Sequence, residues 1–295
     1  MAQQVKGKPG ARRNNAPQAR SGSQTGVVIA AVSLVLIVAI VATFILVKLN
    51  RTSASTNASS SIASASVVNA VTNVPKSALA AAAVPTSSIP MPAKIVGGAS
   101  FTSAGKPVVL YMGADYCPYC AAERWPLIIA LSKFGTFSNL HTTSSSSTDV
   151  YPNTQTFSFY GSSYTSKYID FQSVEMQTNI SSNGSYTTLQ TPTALQNQIF
   201  SKYDQPPYAS TATGIPFIDF SNKYIVSGPS YSPALLAGLS RASIAGSLTI
   251  SGTVTNQAIL PSANLIIATI CKVDNNQPGS VCSIPAVATA EASLK

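Results

Sequence analysis

The sequence predicts an α/β domain held behind one N-terminal transmembrane helix, and three stretches predict it. Gly26 to Val47 is a run of 22 uncharged, mostly apolar residues. Val108 to Met112, a short apolar run of buried-strand type, feeds Cys117-Pro118-Tyr119-Cys120 and then a helical pattern. Ile215-Pro216-Phe217-Ile218-Asp219-Phe220, then Ser221-Asn222-Lys223 and Tyr224-Ile225-Val226, reads as a tight hairpin. With 295 residues the chain holds one sizeable domain with attachments rather than two full domains.

The first element is a basic tail, residues 1–25, with Lys6, Lys8, Arg12, Arg13 and Arg20 and no acid. The apolar run at 26–47 follows. At about 1.5 Å per residue it spans a hydrocarbon core of roughly 30 Å, and lipid leaves helix as the structure such a run adopts. A signal-peptide apolar region is shorter, so an uncleaved anchor is expected. The basic excess before it keeps the N-terminus cytoplasmic and puts the main body outside: a single-pass cell-membrane protein whose first partner is the lipid bilayer. Residues 48–94 read as a stalk, Ser- and Ala-rich at 52–66, with a short helix from Lys76 to Ala83 and a connector marked by Pro85, Pro90 and Pro92.

Ordered structure is expected from Ile95, giving a domain over 95–250. Its helix runs from Cys117 to about Phe134 with Pro126 inside, which removes one internal hydrogen bond. Residues 141–190 are rich in Ser, Thr and Tyr and alternate at 154–159, which suggests extra strands or an exposed insertion. A helix over 193–203 follows, with Leu195, Ile199 and Tyr203 on one side. After the hairpin, Ser232 to about Leu248 reads as another helix. Residues 251–295 form a helical extension with a helix near 260–272 and a second cysteine pair, Cys271 and Cys282.

The formal charge of +9 suggests nucleic acid only until it is mapped. All nine acidic side chains lie beyond residue 51, with eleven of the eighteen basic ones. The exported part is close to neutral, so no basic stripe tracks phosphates and nucleic acid is not an expected partner. The lone His141 and the absence of GxSxG exclude a serine hydrolase. Nothing in the sequence requires a cofactor.

The chemistry lies in the CxxC. A cysteine at the mouth of a helix meets free backbone N–H groups and the positive end of the helix dipole, which favour its thiolate. A second cysteine one turn on closes a disulfide with it, so the pair can cycle through mixed disulfides. Cys117 is then the attacking thiol and Cys120 the resolving one, with Pro118 and Tyr119 tuning the potential. A permanent structural disulfide is the plainer alternative. A zinc site needs a second ligand pair, which the spacing of Cys271 and Cys282 does not supply, so no metal is expected.

VVLYMGADYCPYC, with GIPFIDFSNKYIVSG about a hundred residues later, resembles the thioredoxin superfamily, and the export signal resembles its Dsb-type members. The resemblance implies a thioredoxin-like fold with a long insertion at about 141–210. It also implies a cis Pro216 against the CxxC, and substrate contacts from Ile215, Pro216, Pro118 and Tyr119. More narrowly, GADYCPYCAAERWPL, LSKFGTF, SSSSTDVYPNT, TSKYIDF, KYDQPPY and ATICKVDNNQPGSVC resemble the domain of unknown function 929 family of prokaryotic membrane proteins. The strand at 108–112 departs from thioredoxin in holding no acid. Asp115 is a candidate for the missing proton acceptor, or else caps the helix or faces solvent. Glu123 and Arg124 fall one turn beyond Cys120, where they tune the thiol or form a solvated face. Tyr116, Tyr119 and Trp125 offer a rim for a client or pack the helix. Cys271 and Cys282 are expected to form a structural disulfide.

The expected function is that of a membrane-anchored, extracytoplasmic thiol–disulfide oxidoreductase. Its partners are then exported proteins with thiols or disulfides and a membrane redox partner. The alternative is a non-catalytic thioredoxin-like binding module that docks a membrane complex. A metal-transfer protein is a third reading.

Overall fold

The structure, a computed structural model, describes residues 61–85, 88–210, 212 and 214–294. The tail at 1–25, the membrane helix at 26–47 and the stalk up to residue 60 lie outside the described residues.

The body is a mixed α/β fold with several sheets and eight α-helices among the described residues. It begins with β1 (Ser61–Ile62), α1 (Ala65–Thr72) and α2 (Lys76–Ala81), then β2 (Ala93–Lys94), β3 (Thr102–Ser103) and β4 (Lys106–Gly113). Next come α3 (Pro118–Leu131), β5 (Gly135–Ser138), β6 (His141–Ser144), β7 (Gln155–Ser158), β8 (Ser163–Ser166) and β9 (Asp170–Glu175). The hairpin β10 (Gln177–Ser182) and β11 (Ser185–Thr188) precedes α4 (Ala194–Tyr203), and β12 (Phe217–Phe220) and β13 (Tyr224–Ser227) form the later hairpin. A 3₁₀ turn (Pro233–Leu236), α5 (Arg241–Ser247), α6 (Val254–Val273), α7 (Gly279–Cys282) and α8 (Pro285–Ala292) complete the body.

The main sheet runs β2-β13-β12-β4, with β9 parallel to β4 on its other side and β3 against its start. The expected hairpin is present, and Phe217 pairs with Met112 while Phe220 pairs with Val109. Side chains alternate across a strand, and both faces of β4 are covered, which is why its sequence is continuously apolar. Val108, Leu110 and Met112 pack with Ile199, Phe200 and Tyr203 of α4. Val109 and Tyr111 join the larger core with Trp125, Ile128 and Ile129 of α3 and Ile259 and Ile266 of α6.

Three expectations change. The stalk does not reach residue 94: Val67, Val71 and Leu79 are buried in the main core, so from residue 61 the chain belongs to the body. Apolar side chains at helical spacing in α1 win over the small, polar composition around them. The C-terminal extension is central: α6 packs along α3 and supplies much of the core. It is long and apolar enough to cross a membrane, yet 78% of its most apolar window is buried inside the body. The helix expected over 232–248 is broken into the 3₁₀ turn and α5, with Gly238 at φ 71° between them. That left-handed conformation suits glycine and ends a right-handed run.

Cys271 at the end of α6 and Cys282 in α7 form a disulfide, with Cα atoms 5.7 Å apart and a sequence separation of 11. Closing so short a loop contributes about 2–3 kcal/mol.

Candidate functional site: a reduced CxxC over a buried ion pair

Strand β4 ends at Gly113 and α3 begins at Pro118, so residues 114–117 carry the chain over the sheet edge. Proline at the first helical position lacks an N–H that would have no partner there. Cys117 is the N-cap, and its sulfur accepts from the Cys120 N–H at 3.3 Å. The helix is therefore capped by the thiol itself and not by Asp115. Ile215-Pro216 is a cis peptide, and the Cys117 thiol lies 3.7 Å from the Ile215 carbonyl, which accepts from it. Cys117 and Cys120 are both reduced, 4% and 0% exposed.

The two thiols differ in acidity. That of Cys117 is held below its ordinary range by the Cys120 thiol and N–H bonded to its sulfur and by the Arg124 guanidinium, against burial. Burial in turn pushes the Cys120 thiol well up. This makes Cys117 the more acidic of the two thiols.

Under the pair sits a group of buried ionisable side chains. Arg124, one helical turn beyond Cys120, is fully buried. Its Nε donates to Glu175 Oε1 at 2.9 Å, and its Nη2 donates to Glu175 Oε2 at 2.6 Å and to the Ala114 carbonyl at 2.8 Å. The same Ala114 oxygen accepts the Cys117 N–H at 3.3 Å. Asp115 Oδ1 lies 3.6 Å from Arg124 Nη2, and the Tyr111 ring is 5.8 Å from the guanidinium carbon. Burial, with the Glu175 charge beside it, pushes the Asp115 carboxyl up to about 7.

Glu123 also belongs inside. It is fully buried on another side of α3, where Oε2 accepts the Ser230 N–H at 2.7 Å and Oε1 the Ser230 hydroxyl at 2.9 Å. The solvated face once open for Glu123 and Arg124 is thus absent, and the charged residue of α3 that acts on both thiols is Arg124. Trp125 packs the helix: its Nε1 donates to the Gln155 carbonyl at 3.1 Å and its ring meets Phe157 edge-on.

The insertion supplies a rim that the sequence shows only in half. Tyr116 stacks on Tyr186 of β11 with ring centres 4.0 Å apart, and Tyr119 meets Tyr151 edge-on at 5.9 Å. Each pair joins one tyrosine of the CxxC segment to one from the insertion. Backbone bonds hold both insertion segments close, from Ser146 N–H to the Tyr116 carbonyl at 2.8 Å and from Asp115 N–H to the Gln177 carbonyl at 2.9 Å. Glu175 and Tyr186 carry no local motif, and the SSSSTDVYPNT stretch that holds Tyr151 gives no sign of a contact with Tyr119. The one sequence signal for the ion pair is two charges inside an apolar helix of a chain only 9% charged. Among the described residues, no group of three or more His, Cys, Asp or Glu side chains converges as a metal site.

The model of one protein family, described as a domain of unknown function (DUF929), matches residues 93–272, more than half of the chain. The chain belongs to the DUF929 family. The match covers every DUF929 residue of the site, from Tyr111 to Pro216, and reaches the first cysteine of the disulfide. No curated protein and no solved structure matches the chain.

Proposed function

We propose that this DUF929 protein is a membrane-anchored, extracytoplasmic thiol–disulfide oxidoreductase of thioredoxin-like fold, acting on exported proteins through Cys117 and Cys120. The observation that carries the reading is Cys117 capping α3 while its sulfur rests against the carbonyl before cis Pro216. A parallel strand–helix–strand unit extended by an antiparallel hairpin that opens at this proline supports the fold. In the exchange, the Cys117 thiolate attacks a client disulfide, or client thiolate attacks the oxidised pair, and a mixed disulfide forms. In the first case Cys120 resolves it and releases the client sulfur as thiolate. In the second the Cys120 thiolate has already left, and the client's second thiol resolves it, releasing Cys117. In each case two electrons and two protons have moved between the pairs. Membrane attachment rests on the apolar run at 26–47 and the basic tail before it. Protease added to intact cells is expected to remove the body.

One observation favours the alternative, a non-catalytic binding module: Cys117 is only 4% exposed, whereas reactive cysteines are usually open to solvent. On the redox reading, the tyrosine pairs are what a client displaces. Tyr151→Ser with Tyr186→Ser is then expected to speed alkylation of Cys117 by a small reagent about tenfold while weakening trapping of client segments rich in apolar residues. Unchanged alkylation would mean that the pairs do not guard the sulfur. Serine at Cys120, in membranes, decides between the two readings.

A further inference from the structure

We propose that Arg124 is the positioning residue that sets the direction of this chemistry, stabilising the reduced pair and so making the oxidised CxxC an acceptor of electrons from client dithiols. This rests on the redox reading above and adds the direction to it.

Three features of the structure carry the inference. Arg124 is buried with no access to solvent, so its charge is poorly screened. It is tied to the backbone of the nucleophile, since its Nη2 and the Cys117 N–H share the Ala114 carbonyl. Its capacity is also unspent: Nη1 is buried without a partner, as is the hydroxyl of Tyr111, whose ring lies beside the guanidinium. Buried polar atoms left unpaired are costly and call for an explanation, of which a redox role is one. Ionised sulfur supplies it through charge, since the Arg124 guanidinium acts on both thiols. In the disulfide neither sulfur is charged and Arg124 gains nothing from it; after reduction a thiolate stands within its field. An interaction made only with the reduced form raises the reduction potential, as it does for strongly oxidising dithiol proteins.

Glu175 tempers the effect. Bidentate pairing holds the guanidinium in place and keeps its charge from being stranded, at the cost of cancelling part of its field. Asp115, 3.6 Å away, is the other carboxyl facing the guanidinium. The step is a full exchange: a client dithiol loses two electrons and two protons, its disulfide forms, and Cys117–Cys120 becomes the dithiol. The disulfide of the pair is restored by exchange with another disulfide-bearing molecule of the same compartment.

The two members of the ion pair predict opposite signs. With full-length protein in detergent, the equilibrium of the CxxC against reduced and oxidised glutathione is read by alkylation, together with the pH profile of Cys117 alkylation. Glu175→Gln keeps the shape and removes the anion. It is expected to move the Cys117 profile to lower pH and shift the equilibrium toward the dithiol about tenfold, or about 30 mV. Arg124→Met combined with Glu175→Met removes the pair without leaving a lone buried charge, and is expected to move both readouts the other way by a similar factor. Arg124→Lys retains the charge and is expected to stay closer to the parent. A purely structural pair would move both variants in one direction or neither, which overturns the proposal; should the double variant not fold, Glu175→Gln alone retains the test. If the parent CxxC fails to exchange with glutathione at all, the redox reading itself falls.

Discussion

Replacing Cys120 by serine is expected to turn the protein into a trap, with mixed disulfides between Cys117 and client chains accumulating in membranes, while Cys117→Ser yields none. The reason lies in the asymmetry of the pair. Cys117 sits at the helix mouth with two donors on its sulfur and Arg124 nearby, whereas Cys120 is sealed and held neutral until needed. Attack on a client disulfide therefore begins at Cys117, and within the pair Cys120 is the sulfur placed to release the bound client. Without it, release waits for an outside thiol. Diagonal gels run without and then with reductant show the trapped species directly. Empty gels for Cys120→Ser, with Cys117 still open to alkylation, would assign the domain to the binding-module reading.

The body is expected to lose stability as pH rises from about 4 to about 8. Burial pushes the carboxyls of Glu123 and Asp219 up to about 7, from ordinary values of 4.5 and 3.8. Asp115 is raised to about 7 in the same way. Asp219 is fully buried in β12, with Oδ1 accepting the Asn222 N–H at 2.9 Å and Oδ2 unpartnered. Between the two limits the folded chain keeps protons that the unfolded chain has lost. The contribution is therefore complete below about 4, declines through the interval, and is gone above about 7. One such carboxyl contributes roughly 3–4 kcal/mol over that window. Denaturant titrations at pH 4, 6 and 8 test this, and Glu123→Gln should flatten the slope. A body most stable at pH 8 would contradict it.

Legibility of the fold followed the range of the interactions involved. The strand at 108–112, the helix after the CxxC, the helix over 193–203 and the later hairpin each announce themselves through local spacing, and each is present. The capping box at Thr193 and Gln196 fixes the start of α4 at the expected position. The helices expected at 76–83 and near 260–272 are present as α2 and α6, but their burial in the main core depends on partners far along the chain, which composition does not encode. The same holds at the site. Cys117, Cys120 and Pro216 share recognisable motifs, whereas Glu175 meets Arg124 across 51 residues and Tyr186 meets Tyr116 from within the insertion. An arginine one turn after a cysteine looks like surface until the carboxylate opposite it is known.

Early and late helices of the body, α2 with α6 and α7, clasp each other. Asn264 of α6 donates to the Leu79 and Ala82 carbonyls at 2.8 and 2.6 Å, and Lys76 Nζ donates to the Ser280 carbonyl at 2.8 Å. A nascent chain halted before residue 254 holds both thiols and the cis proline, yet lacks the wall on which α3 rests. Packing of α3, and of the reactive centre it carries, thus waits for the residues of α6 to be made.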